Sequence, residues 1–216
     1  MVDSRLAARI DHTLLKPAAT ARELEELCSQ AVRFGFYGVC VNPSAIGRVA
    51  RLLLGSPVTP VCVVGFPLGA TLPGIKAAEA AAVVDLGARE LDMVLNLGAF
   101  KDGLDGLVRE DVAGVVRAAA GHPVKVILET GLLSGEEIVR ACGLCVEAGA
   151  RFVKTSTGFG PGGATVEAIR LMRRTVGPDV GVKASGGIRT REDALAMIEA
   201  GADRIGASAS VAIVGG

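Results

Sequence analysis

Eight short β-branched runs, helical patterns between them, and a glycine that recurs where helix passes into strand predict an α/β fold for this 216-residue chain. The architecture they favour is a (β/α)8 barrel of the TIM type, a single domain over residues 1–216. The strand patterns are "IDHTLL", "YGVCVN", "PVCVVGF", "LDMVLN", "VKVILET", "FVKTST", "GVKASG" and "RIGAS". Between them run helical patterns such as "TARELEELCSQAVRF", "TLPGIKAAEAAAVVDLG" and "TREDALAMIEAG", several opening on a Thr or Ser suited to an N-cap. An open, doubly wound sheet is the runner-up, but no G-x-G-x-x-G follows the first strand pattern. No composition break marks a second domain.

A weak internal repeat sharpens the expectation. "GFYGVC", "GARELD", "GARFVK" and "GADRIG" start at Gly35, Gly87, Gly149 and Gly201 and lead into strands two, four, six and eight. Alternate strands of such a barrel fill one interior layer. A shared register therefore places Cys40, Asp92, Lys154 and Gly206 in one layer. Two residues on, nearer the C-terminal rim, come Asn42, Val94, Ser156 and Ser208. Lys183 points inward from strand seven, with Ser185 beyond it, and Lys125 on strand five can join an interior ion pair.

Bulk properties exclude several classes. Half the residues are hydrophobic, enough for a sizeable core. Formal net charge is zero, and six Phe, one Tyr and no Trp leave little to stack on bases, so a nucleic-acid partner is not expected. No apolar run approaches the ~18 residues of a membrane span, and "MVDSRLAARIDH" lacks a signal-peptide core. A cytoplasmic protein without a membrane partner is the expectation. The five cysteines do not suggest a disulfide framework, and Cys142 and Cys145 fall inside a helical pattern, where they read as packing. With only His12 and His122 as histidines, a zinc site lacks ligands. Asn42 and Asn96 are the only asparagines and Gln30 the only glutamine, a scarcity that predicts heat stability.

Asp92, Lys154 and Lys183 thus converge inside the barrel. One reading is a structural ion cluster. The other is chemistry, because a free lysine is only about 0.04% neutral at pH 7, and burial beside a second cation favours the neutral, nucleophilic amine. Position alone does not say which lysine attacks. Glycine-rich turns supply a ligand site: "SGGIRT" after strand seven, "GASAS" after strand eight, and "TSTGFGPGG" beside Lys154. In these barrels the loops after strands seven and eight often hold a phosphate. The candidate set is Thr157, Gly158, Gly186, Gly187, Gly206, Ala207 and Ser208, with Cys40, Asn42 and Ser185 lining the pocket.

"DHTLLKP", "VCVNP", "GFPLG", "ELDMVLN", "KVILETGLL", "FVKTSTGF", "VKASGGI" and "RIGAS" together resemble the deoxyribose-phosphate aldolase family, in order along nearly the whole chain. That resemblance implies a metal-free, cofactor-independent class I aldolase acting on 2-deoxy-D-ribose 5-phosphate in deoxyribonucleoside catabolism. It implies that Lys154 forms the Schiff base, Lys183 lowers its pKa, and Asp92 relays protons through water. It also implies a homodimer or homotetramer. Cys40 fits "VCVNP" as a pocket residue able to trap a reactive aldehyde. Two departures stand out. Some members carry a C-terminal tail with a tyrosine, whereas the only tyrosine here is Tyr37 and the last helical pattern looks short for a complete eighth unit, which suggests further residues. Some relatives have lysine where Phe159 stands, so one phosphate contact is expected to be lost.

Three rivals remain. A Schiff-base lyase for keto acids needs a cationic carboxylate clamp, and no spare arginine is evident at the strand ends. Metal-dependent epimerases need more histidine and carboxylate ligands. A non-catalytic binding barrel has no need of both lysines.

Overall fold

The computed structural model describes residues 2–215. Eight parallel strands close into a barrel in chain order: β1 (Ile10–Leu14), β2 (Gly38–Val41), β3 (Thr59–Val64), β4 (Glu90–Val94), β5 (Val124–Ile127), β6 (Phe152–Lys154), β7 (Gly181–Ser185) and β8 (Arg204–Ala207). All eight strand patterns fall on these strands, and β1 pairs with β8 to complete the ring. No open sheet edge remains, which rules out the doubly wound alternative.

The helices are α1 (Ser4–Ala7), α2 (Ala21–Phe34), α3 (Pro43–Leu52), α4 (Pro73–Asp85) and α5 (Leu97–Lys101) in the first half. The second half has α6 (Asp105–Ala118), α7 (Gly135–Glu147), α8 (Val166–Val176), α9 (Arg191–Glu199) and α10 (Ser210–Ile213). Capping boxes start α2 at Thr20, α7 at Ser134 and α9 at Thr190. The pattern opening at Thr71 starts later than expected. Pro73 occupies the first turn of α4, where its missing N–H costs nothing, and Leu72 precedes it without a side-chain cap.

The recurring glycine has a physical cause. Gly35, Gly87, Gly149 and Gly201 all have positive φ, between 71° and 115°, the conformation that stops a helix and turns the chain into the next strand. Outward strand residues such as Val39, Met93 and Val153 pack against the helices in the main core. Inward residues form a separate interior, apolar at Cys40, Val61 and Val63 and ionic elsewhere. Cys142 and Cys145 are buried, free thiols on α7, as helix packing requires. No described helix is long and apolar enough to cross a membrane.

Candidate active site

Strand phase brings the charged residues together. On β6 and β7 Lys154 and Lys183 are register partners, and on β4 and β5 Asp92 pairs with Lys125, so all four side chains enter the barrel. Asp92 Oδ2 accepts from Lys154 Nζ at 2.8 Å and from Lys183 Nζ at 2.7 Å, while its Oδ1 accepts from Lys125 Nζ at 2.9 Å. The predicted trio is therefore one contact cluster.

Sequence reasoning missed the other half of this cluster. Asp11 on β1 accepts from Lys183 Nζ through one oxygen and from Arg204 through the other, the latter at 2.9 Å. Lys125 also pairs with Glu90 at 2.6 Å, and Arg204 with Glu90 at 3.2 Å. The signal was present in "ARIDHTLL": an aspartate inside an apolar strand, the same pattern that marks Asp92. Tyr37 lies at the opposite end of the barrel, its hydroxyl donating to Glu90 at 2.9 Å under the Arg204 guanidinium.

Burial and charge oppose each other throughout. Burial disfavours the Asp92 carboxylate, yet Lys125, Lys154 and Lys183 outweigh it and hold the group well below the usual carboxylate range. Asp11 is depressed likewise against burial, by Lys183 and Arg204. Burial pushes the Lys183 ammonium towards neutrality, but Asp11 and Asp92 outweigh it and raise the group above the ordinary lysine value. Two carboxylates thus favour the charged form of Lys183.

Above the cluster lies a cavity of about 320 Å³, with Lys154 in its lining. Thr157, Gly158, Ser185, Gly186, Gly187, Gly206, Ala207 and Ser208 also line it. Gly186 and Gly187 have φ of 86° and 79°, which favours glycine in this turn. Among the described residues the backbone N–H groups of Gly158 and Gly187 have no protein partner, which leaves them for a ligand. A Cβ at Gly206 would lie 3.0 Å from Lys183 Cε, so a side chain there would press on the lysine.

Three expectations need correction. Cys40 is fully buried and does not line the cavity. It lies in the interior below, where burial pushes its thiol up to about 11. Asn42 is not in the lining either; its amide donates to the Leu15 carbonyl at 3.2 Å and so supports a lining residue from behind. The strand ends do offer an arginine, since Arg189 and Lys16 both line the cavity. They supply positive charge at the rim that Phe159 does not. Phe159 meets Phe66 edge to face across the mouth, with ring centroids 5.3 Å apart. Among the described residues no group of three or more His, Cys, Asp or Glu side chains is arranged to hold a metal ion.

Comparison with known proteins agrees with this geometry. The sequence model of the DeoC/LacD family aldolases matches residues 5–215. The chain is 57% identical to the deoxyribose-phosphate aldolase of Exiguobacterium sibiricum over 212 residues, 98% of this chain and 96% of that one. It is 54% identical to the deoxyribose-phosphate aldolase of Lysinibacillus sphaericus, covering 100% and 97% of the two chains. The tetrameric deoxyribose phosphate aldolase of Aeropyrum pernix superposes with a TM-score of 0.91 at 37% identity, covering 98% of this chain and 90% of that one. The ionic barrel interior, the cavity above it and these full-length likenesses place the chain in the DeoC/LacD aldolase family.

Proposed function

We propose that the protein reversibly cleaves 2-deoxy-D-ribose 5-phosphate to D-glyceraldehyde 3-phosphate and acetaldehyde through a Schiff base on Lys154. The observation that carries this reading is a competition: Lys154 and Lys183 donate to the same oxygen of Asp92. Lys183 has a second carboxylate, Asp11, and Lys125 has Glu90, whereas among the described residues Lys154 has Asp92 alone. The interior holds four cations (Lys125, Lys154, Lys183, Arg204) against three carboxylates (Asp11, Glu90, Asp92). A neutral Lys154 leaves that set balanced. It is also the lysine of the three that reaches the cavity.

In the cleavage direction the Lys154 amine attacks C1 of the open-chain sugar, and loss of water from the carbinolamine gives an iminium. The iminium accepts the electron pair of the C2–C3 bond as the C3 hydroxyl gives up its proton to a water beside Asp92, and glyceraldehyde 3-phosphate leaves. The remaining enamine takes a proton at C2, and hydrolysis frees acetaldehyde and the amine. Asp92, in contact with both lysines, handles the protons of dehydration and enamine protonation through a water. Lys183 shares with Lys154 the Asp92 oxygen that both contact. The phosphate sits in the glycine-rich rim, on the N–H groups of Gly158 and Gly187 and beside Arg189.

Such an enzyme acts in the breakdown of deoxyribonucleosides, whose sugar is this substrate. Five buried, free cysteines suit a reducing compartment, and we place the protein in the cytoplasm as a homodimer or homotetramer. The test is release of acetaldehyde from deoxyribose 5-phosphate by the purified protein in the presence of a chelator, lost in Lys154→Leu. Turnover abolished by the chelator, or retained by Lys154→Leu, contradicts the proposal.

A further inference from the structure

Glu129 follows β5 and has a left-handed backbone, φ 54° and ψ 60°, which a residue with a side chain rarely adopts. The residue is 4% exposed, and among the described residues its carboxylate forms no salt bridge. Among the described residues its polar partners are the Thr157 backbone N–H, 3.3 Å from each carboxylate oxygen, and the Thr157 hydroxyl, which donates to Oε2. A strained, buried, unpaired carboxylate costs free energy, and the proposed proton transfers do not use it.

What the arrangement achieves is the shape of the rim. The Thr157 hydroxyl accepts from the Phe159 N–H at 3.0 Å and the Gly160 N–H at 3.3 Å, so one carboxylate organises residues 157–160. Backbone closeness locks the same segment on both sides. A Cβ at Gly160 would lie 2.8 Å from Glu129 Cδ, and one at Gly131 would strike the Pro161 carbonyl. On the far side a Cβ at Gly163 would strike the Gly186 carbonyl, which accepts from the Ala164 N–H at 2.9 Å. The loop is therefore wedged between Glu129 and the turn at Gly186 and Gly187. Thr157, Gly158, Gly186 and Gly187 all line the cavity.

We infer that Glu129 is a positioning residue that fixes the glycine-rich loop through Thr157 and thereby sets the affinity of the rim for a phosphoryl group. This rests on the aldolase reading above for its substrate. Glu129 acts on binding of the anionic end and leaves the amine chemistry on Lys154 untouched.

The test compares Glu129→Ala, Glu129→Gln and Thr157→Val with the parent protein. Thr157→Val removes the hydroxyl that joins Glu129 to the Phe159 and Gly160 N–H groups, keeps the Thr157 N–H contact, and leaves the strained backbone position unaltered. The expected result for Glu129→Ala and Thr157→Val is a KM for deoxyribose 5-phosphate raised about tenfold or more. For Glu129→Ala, kcat/KM for unphosphorylated 2-deoxyribose and the rate of borohydride trapping with acetaldehyde should stay within about twofold. Glu129→Gln, which keeps one acceptor, should recover most of the loss. Calorimetric titration with inorganic phosphate supplies a readout that needs no turnover: affinity should fall about tenfold in both Glu129→Ala and Thr157→Val. Equal losses on both sugars in the folded Glu129→Ala protein, or unchanged phosphate affinity in both variants, would overturn the inference. A parent protein that neither traps acetaldehyde nor cleaves the sugar would instead sink the aldolase reading, and the phosphate titration would still decide the role of Glu129.

Discussion

Lys154 and Lys183 sit opposite each other as register partners on β6 and β7, and their ammonium groups reach the same oxygen of Asp92. One carboxylate oxygen cannot serve both at full strength. Lys183 has Asp11 as a second partner, and Lys154 makes fewer ionic contacts in the cluster.

Replacing Lys183 by Leu removes the competitor and leaves Lys154 in undisputed possession of Asp92. The expected outcome is a fall in kcat of about 10²–10⁴, the usual scale of a lost acid–base partner. Steady-state kinetics on the folded variant measures it. Activity near the parent level would show that Lys183 is only structural.

Asp11→Asn tests the residue that sequence reasoning missed. Lys183 and Arg204 would each lose a buried counter-charge, a change that costs about 3–5 kcal/mol when a buried pair is broken. Urea denaturation should show that loss. Activity should fall as well, because Lys183 then draws on Asp92 alone.

The cluster fixes how stability depends on pH. Asp11 and Asp92 have folded-state values below the unfolded carboxylate, so their contribution is present above about pH 4 and lost as acid titrates them through the folded values. Lys125 and Lys183 are raised above 10.5, so their contribution is complete below that pH and lost as it rises further. Melting temperature should be flat from about pH 5 to pH 10 as far as this cluster sets it, and fall on both sides. A rise in melting temperature between pH 5 and pH 3 would contradict the assigned charges.

Phe159→Lys should tighten the rim for an anionic end. The ammonium would join Arg189 and Lys16 at the cavity, lowering KM for deoxyribose 5-phosphate with little change for the unphosphorylated sugar. Loss of the edge-to-face contact with Phe66 should cost about 0.5–1.5 kcal/mol. Parallel kinetics on both sugars, with a melting curve, checks both effects.

Cys40 should resist alkylation at pH 7, because its thiol is fully buried and pushed up to about 11. Iodoacetamide labelling of the native protein followed by peptide mapping reads this directly. Rapid modification at Cys40 would restore it as a residue open to the cavity.

The fold was legible because its signals are local. Left-handed glycines at 35, 87, 149 and 201 and capping boxes at Thr20, Ser134 and Thr190 act within a few residues of chain. Strand phase then carried Asp92, Lys154 and Lys183 to one place, since period-two alternation needs no knowledge of partners. Asp11 escaped although β1 alternates in the same way, because neither the glycine repeat nor a lysine marks that strand. Cys40 and Asn42 were in phase but misplaced in height: one side chain stops below the cavity and the other turns to a backbone carbonyl. Arg189 and Glu129 lie in loops, where no period predicts which way a side chain points.

The most direct measurement is borohydride reduction of the protein with acetaldehyde, followed by peptide mass mapping. The account predicts one reduced two-carbon adduct, on Lys154, absent in Lys154→Leu and slowed in Lys183→Leu. An adduct on Lys183 or Lys125, or no selective adduct at all, would contradict it.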